Sequence, residues 1–160
     1  MSDTAITISS TRVSPLSDQE RAAFGFTHKY SVLYSDIAYG SASADTVTLT
    51  LGATPAKFCA DKAAINIGTA FAGTTALSIQ VGTTSDTDNF ITAQSVLTAA
   101  YLFSSKGPNT VETKAGSTAT AAVNLVAVFT NATDGSPSAL TAGALDIYLS
   151  VNSTATNRLP

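Results

Sequence analysis

The stretch from Leu140 to Asn152, LTAGALDIYLSVN, constrains the fold more than any other part of the chain. Leu145, Ile147, Leu149 and Val151 alternate with Asp146, Tyr148, Ser150 and Asn152. That is the period of a strand with one face buried and the other in water. Thr141-Ala142-Gly143 just before it reads as a turn entry. The same alternation recurs upstream. Tyr30, Val32 and Tyr34 share a face, as do Val47, Leu49 and Leu51 between threonines. Further faces are Ile65, Ile67, Thr69 and Phe71, then Leu77, Ile79 and Val81. The run Leu125 to Phe129 is apolar on both faces, which suits a strand buried between two layers.

Turn residues separate nearly all of these runs: Gly40 to Ala44, Gly52 to Pro55, Gly73, Thr83 to Asn89, Gly107-Pro108 and Asp134-Gly135. Phe58 to Ala60 reads as a short bridge, and Ala93 to Phe103 as a helical turn followed by a strand. Asn109 to Lys114 reads as an exposed strand. About eight strands at this spacing give an all-β chain, an antiparallel sandwich or barrel. Alternation specifies the strands but not their order, so jelly-roll and immunoglobulin-like connections both stay open.

Residues 1–27 differ from the rest. Ala5 to Ile8 reads as a short strand, and Ser17-Asp18-Gln19-Glu20 as a helix start with Ser17 as cap and Glu20 at the reciprocal position. We expect an N-terminal arm over 1–27, lying along a partner, and a sandwich domain over 28–160. The alternative for 1–27 is a frayed terminus.

Composition removes whole classes of function. The 160 residues are 44% hydrophobic, enough for a core in one domain. Only 12% are charged, about half the usual share. A surface with so little charge offers little repulsion to association. The net charge of −3 and scattered basic residues argue against a nucleic-acid module or a basic-armed coat protein. No apolar run approaches membrane-span length, and MSDTAITISS is not a signal peptide. Cys59, the single cysteine, excludes an intrachain disulfide and reads as a small buried hydrophobe.

Chemical equipment is sparse. The lone histidine, His28, has no partner cysteine or histidine for zinc. Asp36, Asp45, Asp61, Asp86, Asp88 and Asp134 read as solvated caps and turns. Asp86-Thr87-Asp88-Asn89 spaces oxygens as calcium loops do, but it lacks their glycine and distant glutamate. It reads as a polar turn. No nucleophile elbow or phosphate-cradling loop is present. We expect no enzyme, no cofactor and no metal. Tyr39 and Tyr101 are the tyrosines least clearly assigned to a core, and Tyr148 falls on the outer face of the closing strand.

Three stretches together resemble small virion proteins of tailed-bacteriophage heads. They are Ala63 to Phe71 with Ala72-Gly73, then Leu77 to Gly82 with the Asp86 to Phe90 loop, then Leu140 to Val151. The resemblance covers roughly residues 45–152 and implies a head decoration, or cement, protein with a jelly-roll-like sandwich. Such a protein binds the outer capsid surface, commonly as a trimer, and bridges major capsid subunits. It is made in the host bacterial cytoplasm and ends up on the virion. The partners expected are the major capsid protein and sister subunits. The arm would supply Ile6, Ile8, Arg12, Arg21, Phe24 and Phe26 to that contact, and the loop Asp86, Asp88 and Asn89. The alternative function is a host-recognition module, a fibre tip or head-fibre knob, binding a surface glycan through loops at Thr83 to Asn89 and Asn131 to Ser138.

Overall fold

A computed structural model of the chain describes residues 3–7, 17–18, 25–38, 46–53, 58–103, 123–131 and 137–153. Among them are nine strands: β1 (Asp3–Thr7), β2 (His28–Leu33), β3 (Thr46–Ala53), β4 (Phe58–Ala72), β5 (Leu77–Thr83), β6 (Ile91–Ser95), β7 (Ala100–Phe103), β8 (Asn124–Asn131) and β9 (Ala142–Ser153). A one-turn helix, α1 (Tyr34–Ile37), follows β2, and a short 3-10 turn, Pro137–Ala139, precedes β9.

The strands form two sheets, ordered β1-β3-β8-β5-β6 and β2-β9-β4-β7. Every pairing is antiparallel except β1 with β3, which is parallel. Setting β1 aside leaves an eight-stranded, two-sheet sandwich. Its chain passes to the other sheet at every connection but the β5–β6 turn. That is the strand order of a jelly roll, and it settles the choice of topology that alternation leaves open.

The closing strand β9 lies inside its sheet, with β2 on one side and β4 on the other. Its apolar positions build cross-strand rows. Ile147 sits opposite Tyr30 and Ile65, and Leu145 opposite Val32 and Ile67. The five-stranded sheet answers with Val47, Phe129 and Ile79 in one row and Leu49, Ala127 and Val81 in the next. All of these belong to one buried cluster. Phe71 and Phe129 meet between the sheets with ring centroids 6.0 Å apart.

Several local expectations need correction. Ala142 and Gly143 are the first residues of β9 rather than part of a turn before it, because Ala142 already pairs with Ala72. Phe58 to Ala60 is the start of the fifteen-residue β4 rather than a separate bridge, and Asp61 lies within that strand. The segment 93–103 contains no helical turn: β6 ends at Ser95 and β7 begins at Ala100. Tyr34 does not extend the β2 face, because the chain turns into α1 there and leaves Tyr34 exposed. Asp36 is no solvated loop acid; its carboxylate is buried and accepts the Leu33 N–H at 2.8 Å. The strand expected at Asn109 to Lys114 lies outside the described residues, as does the helix from Ser17 beyond Asp18.

Candidate binding faces

Because every strand buries one set of alternate side chains, the sandwich presents two outer faces. That of the five-stranded sheet carries Thr46, Thr48 and Thr50 from β3, Val126, Val128 and Thr130 from β8, and Ser78 and Gln80 from β5. None of these side chains is charged. Val126 and Val128 are nevertheless almost fully buried, so the two-sided apolar run of β8 is buried on both faces. One cover is the β5–β6 turn, which folds back onto this face. Gln80 Nε2 donates to Thr87 Oγ1 at 2.6 Å, and a Cβ on Gly82 would lie 2.2 Å from the Asp86 carbonyl oxygen.

That turn contains the aspartates singled out in the sequence. Its backbone is internally bonded: Thr83 N–H donates to the Asp86 carbonyl at 2.8 Å, and Asn89 N–H to the same oxygen at 3.3 Å. Phe90 plugs into the core behind it. Asp86 is exposed, and Asp88 and Asn89 are half-buried. Among the described residues no three metal-ligating side chains converge there or elsewhere.

The outer face of the four-stranded sheet is chemically richer. One cross-strand row runs Ser31, Asp146, Asn66, Tyr101 from β2 to β7. The next contains Lys29, Tyr148 and Ala64. Asp146 is fixed from several sides. Ser31 Oγ donates to Oδ1 at 2.6 Å, Lys29 Nζ lies 3.4 Å from Oδ2, and the Tyr148 hydroxyl donates to Oδ2 at 3.5 Å. Lys29 also lies over the Tyr148 ring, 5.3 Å from its centroid, a cation–π placement.

Half of this face is covered by the chain itself. Gly25 to Thr27, just before β2, carries Phe26 onto Tyr148 and Ala64, and the three form a small buried cluster. The two rings are 5.3 Å apart and tilted by 37°. Thr27 N–H donates to the Leu149 carbonyl at 3.0 Å and continues the β2–β9 ladder. Tyr148 therefore points outward, as its alternation requires, yet is buried. The other half, toward Leu33, Gly68 and Tyr101, stays open.

Of the arm residues named from sequence, Phe26 occupies this buried cluster. Ile6 lies in β1, opposite Leu49 in the register. Ile8, Arg12, Arg21 and Phe24 lie outside the described residues. Tyr101, on the edge strand β7, is 41% exposed and has its ring 6.5 Å from that of Tyr148. The sequence signal for Tyr101 was its lack of a core assignment. Asn66 and Gly68 carried none, because nothing local distinguishes them from other outer-face residues. In comparison with known proteins, the chain matches no family model, no curated sequence and no solved structure.

Proposed function

We propose that the chain is a decoration, or cement, protein of a tailed-phage head. It binds the outer surface of the shell as a homo-oligomer, a trimer being favoured, and bridges major capsid subunits. The observation that carries this reading is the outer face of the five-stranded sheet. Its strand positions across β3, β8 and β5 are threonine, serine and glutamine, half-buried, around the buried Val126 and Val128, and none is charged. The β5–β6 turn with its exposed Asp86 covers the part over Gln80 and Gly82. Such a face associates without desolvating ions, the step that makes charged interfaces expensive. The parallel strand β1 lies at the edge of the same sheet, which brings the N-terminal segment to the border of the proposed contact. The sequence resemblance to small head proteins points the same way.

The stabilising action follows from linkage. A protein that binds the assembled shell and not its free subunits shifts the equilibrium toward assembly. Many modest contacts on a closed lattice then act together.

The test is co-sedimentation of the purified chain with undecorated heads. Saturation at a fixed ratio to capsid subunits, with a raised melting temperature of the heads, is the expected result. Removing residues 1–24 keeps Phe26 and all of β2, so the sandwich should stay folded while head binding is lost. Absence of binding by the full chain would refute the proposal; binding that survives the truncation would refute the role of the arm.

A further inference from the structure

Among the described residues, the large apolar side chains that stand exposed are Leu33, Tyr34 and Tyr101, at 48%, 36% and 41%. They bracket the open half of the four-stranded sheet's outer face. Leu33 is on the edge strand β2, with Tyr34 directly after it, and Tyr101 is on the opposite edge, β7. Three inter-strand steps of ~4.8 Å separate those edges, a span of about 14 Å. Between them lie Asn66, the bulged Gly68 and the exposed Thr69 on β4, and Ala144 and Asp146 on β9, with Thr69 opposite Ala144 and Asn66 opposite Asp146.

Gly68 is the residue that asks for an explanation. Each other glycine with described surroundings has a positive φ or, at Gly82, backbone where a Cβ would go. Gly68 has neither, and a Cβ there would meet nothing within 4 Å. The bulge between Ile67 and Thr69 does not demand glycine, since φ is in the ordinary range. A glycine inside a strand weakens it relative to alanine. It marks a bulge or a place where a ligand or another backbone approaches closely; since no backbone lies within 4 Å of the Gly68 Cβ position, the space over it is open to a ligand.

The chemistry of this floor is specific. The Asn66 side-chain amide makes no hydrogen bond among the described residues, so its two donors and its carbonyl are available. Asp146 presents a carboxylate held in place by Ser31, Lys29 and Tyr148. Lys29 and Asp146 neutralise each other, and no other charged side chain lies in these rows. An exposed aromatic ring beside an amide and a fixed carboxylate, with no net charge, matches a ligand that has apolar C–H faces and a rim of hydroxyls. We propose that the open half of this face binds an uncharged carbohydrate, with Tyr101 as the stacking platform, Asn66 and Asp146 as hydrogen-bonding groups, and Gly68 as the clearance that lets a sugar ring lie on the sheet. This goes beyond capsid binding, which is assigned to the opposite face, and it does not use the loops that sequence alone suggested for glycan contact.

The experiment is an amide NMR titration of the full chain with glucose, galactose, mannose and N-acetylglucosamine and their short oligomers. A charged control, a uronic-acid oligomer, is titrated in parallel. Saturable shifts confined to residues 66–68, 101 and 144–146 are expected for at least one neutral probe. Tyr101→Ala should weaken that binding by about tenfold or more. Gly68→Val should abolish it while leaving the fold at least as stable, which separates blocked access from unfolding. No saturable shift with any neutral probe, binding of the charged control alone, or neutral binding indifferent to both variants would each overturn the proposal. Loss of head binding by Gly68→Val would also overturn it, by making this face the capsid contact.

Discussion

Gly73 and Gly68 stand five positions apart and answer opposite constraints. Gly73, just past β4, has φ +106°, and a Cβ there would lie 2.1 Å from the Ala139 carbonyl oxygen. The 3-10 turn before β9 packs against it, with Thr141 N–H donating to the Ala72 carbonyl at 2.9 Å. Gly73→Ala adds both a strained conformation and a collision with backbone that cannot rotate away, so a loss of about 2–4 kcal/mol is expected. Gly68→Ala should instead be neutral or stabilising by up to about 1 kcal/mol. Urea midpoints of the two variants should therefore move apart; a shared direction would sink the distinction. His28 gives a pH signature. Burial lowers its pKa from the ordinary 6.5, and its ring stacks against Tyr30 at 6.3 Å. The unfolded chain then takes up the proton first as pH falls. Stability is complete above pH 6.5, declines as pH drops toward the folded value, and is fully lost for this group below it. His28→Gln should flatten the urea midpoint between pH 7.5 and pH 5; an unchanged slope would assign the effect elsewhere.

At the level of elements, the Phe26 segment shows what local reading reaches and what it misses. Alternation places Tyr148 and Asp146 on the outer face correctly. It cannot show that Phe26 covers Tyr148, because the two are brought together by a ladder that joins Thr27 to Leu149, 122 residues away. The same limit explains why Phe58 to Ala60 read as a bridge: the strand is held there by pairing with Ala60↔Val151 and Cys59↔Asn152, not by a pattern of its own. At Tyr34 the alternating pattern continues while the chain has already turned, since the Asp36 carboxylate caps the turn from within. Phe26→Ala should cost about 2–4 kcal/mol, near the lower end for a buried phenylalanine because its cluster is small. It should also speed hydrogen exchange at the Thr27 amide well beyond the change in core amides. A uniform acceleration across the core would mean that Phe26 supports the whole sandwich rather than this local cover.

Over the whole molecule, the elements were legible and their order was not. Period-2 runs identify strands, but the alternation of Ile147 is the same whether β9 pairs with β2 and β4 or with other strands. The binding faces were hidden for the same reason, since Ser31, Asp146, Asn66 and Tyr101 form a row only once four strands from distant parts of the chain are side by side. What composition did convey is the scarcity of charge, and the fold explains its distribution. The net charge is only −3, the Lys29–Asp146 pair is internally balanced, and the described outer positions of β3, β5 and β8 are uncharged. Association through that face should proceed without long-range steering, at an ordinary rate near ~10⁵–10⁶ M⁻¹s⁻¹. Exposed ion pairs weaken steeply with salt as the Debye length shrinks, whereas contacts between hydroxyls and methyl groups do not. Affinity for undecorated heads should therefore change less than about threefold between roughly 0.05 and 0.5 M salt. A steep fall over that range would transfer the binding energy to charged residues, with Arg12 and Arg21 of the N-terminal segment the first to substitute, and would remove the uncharged sheet face from the interface.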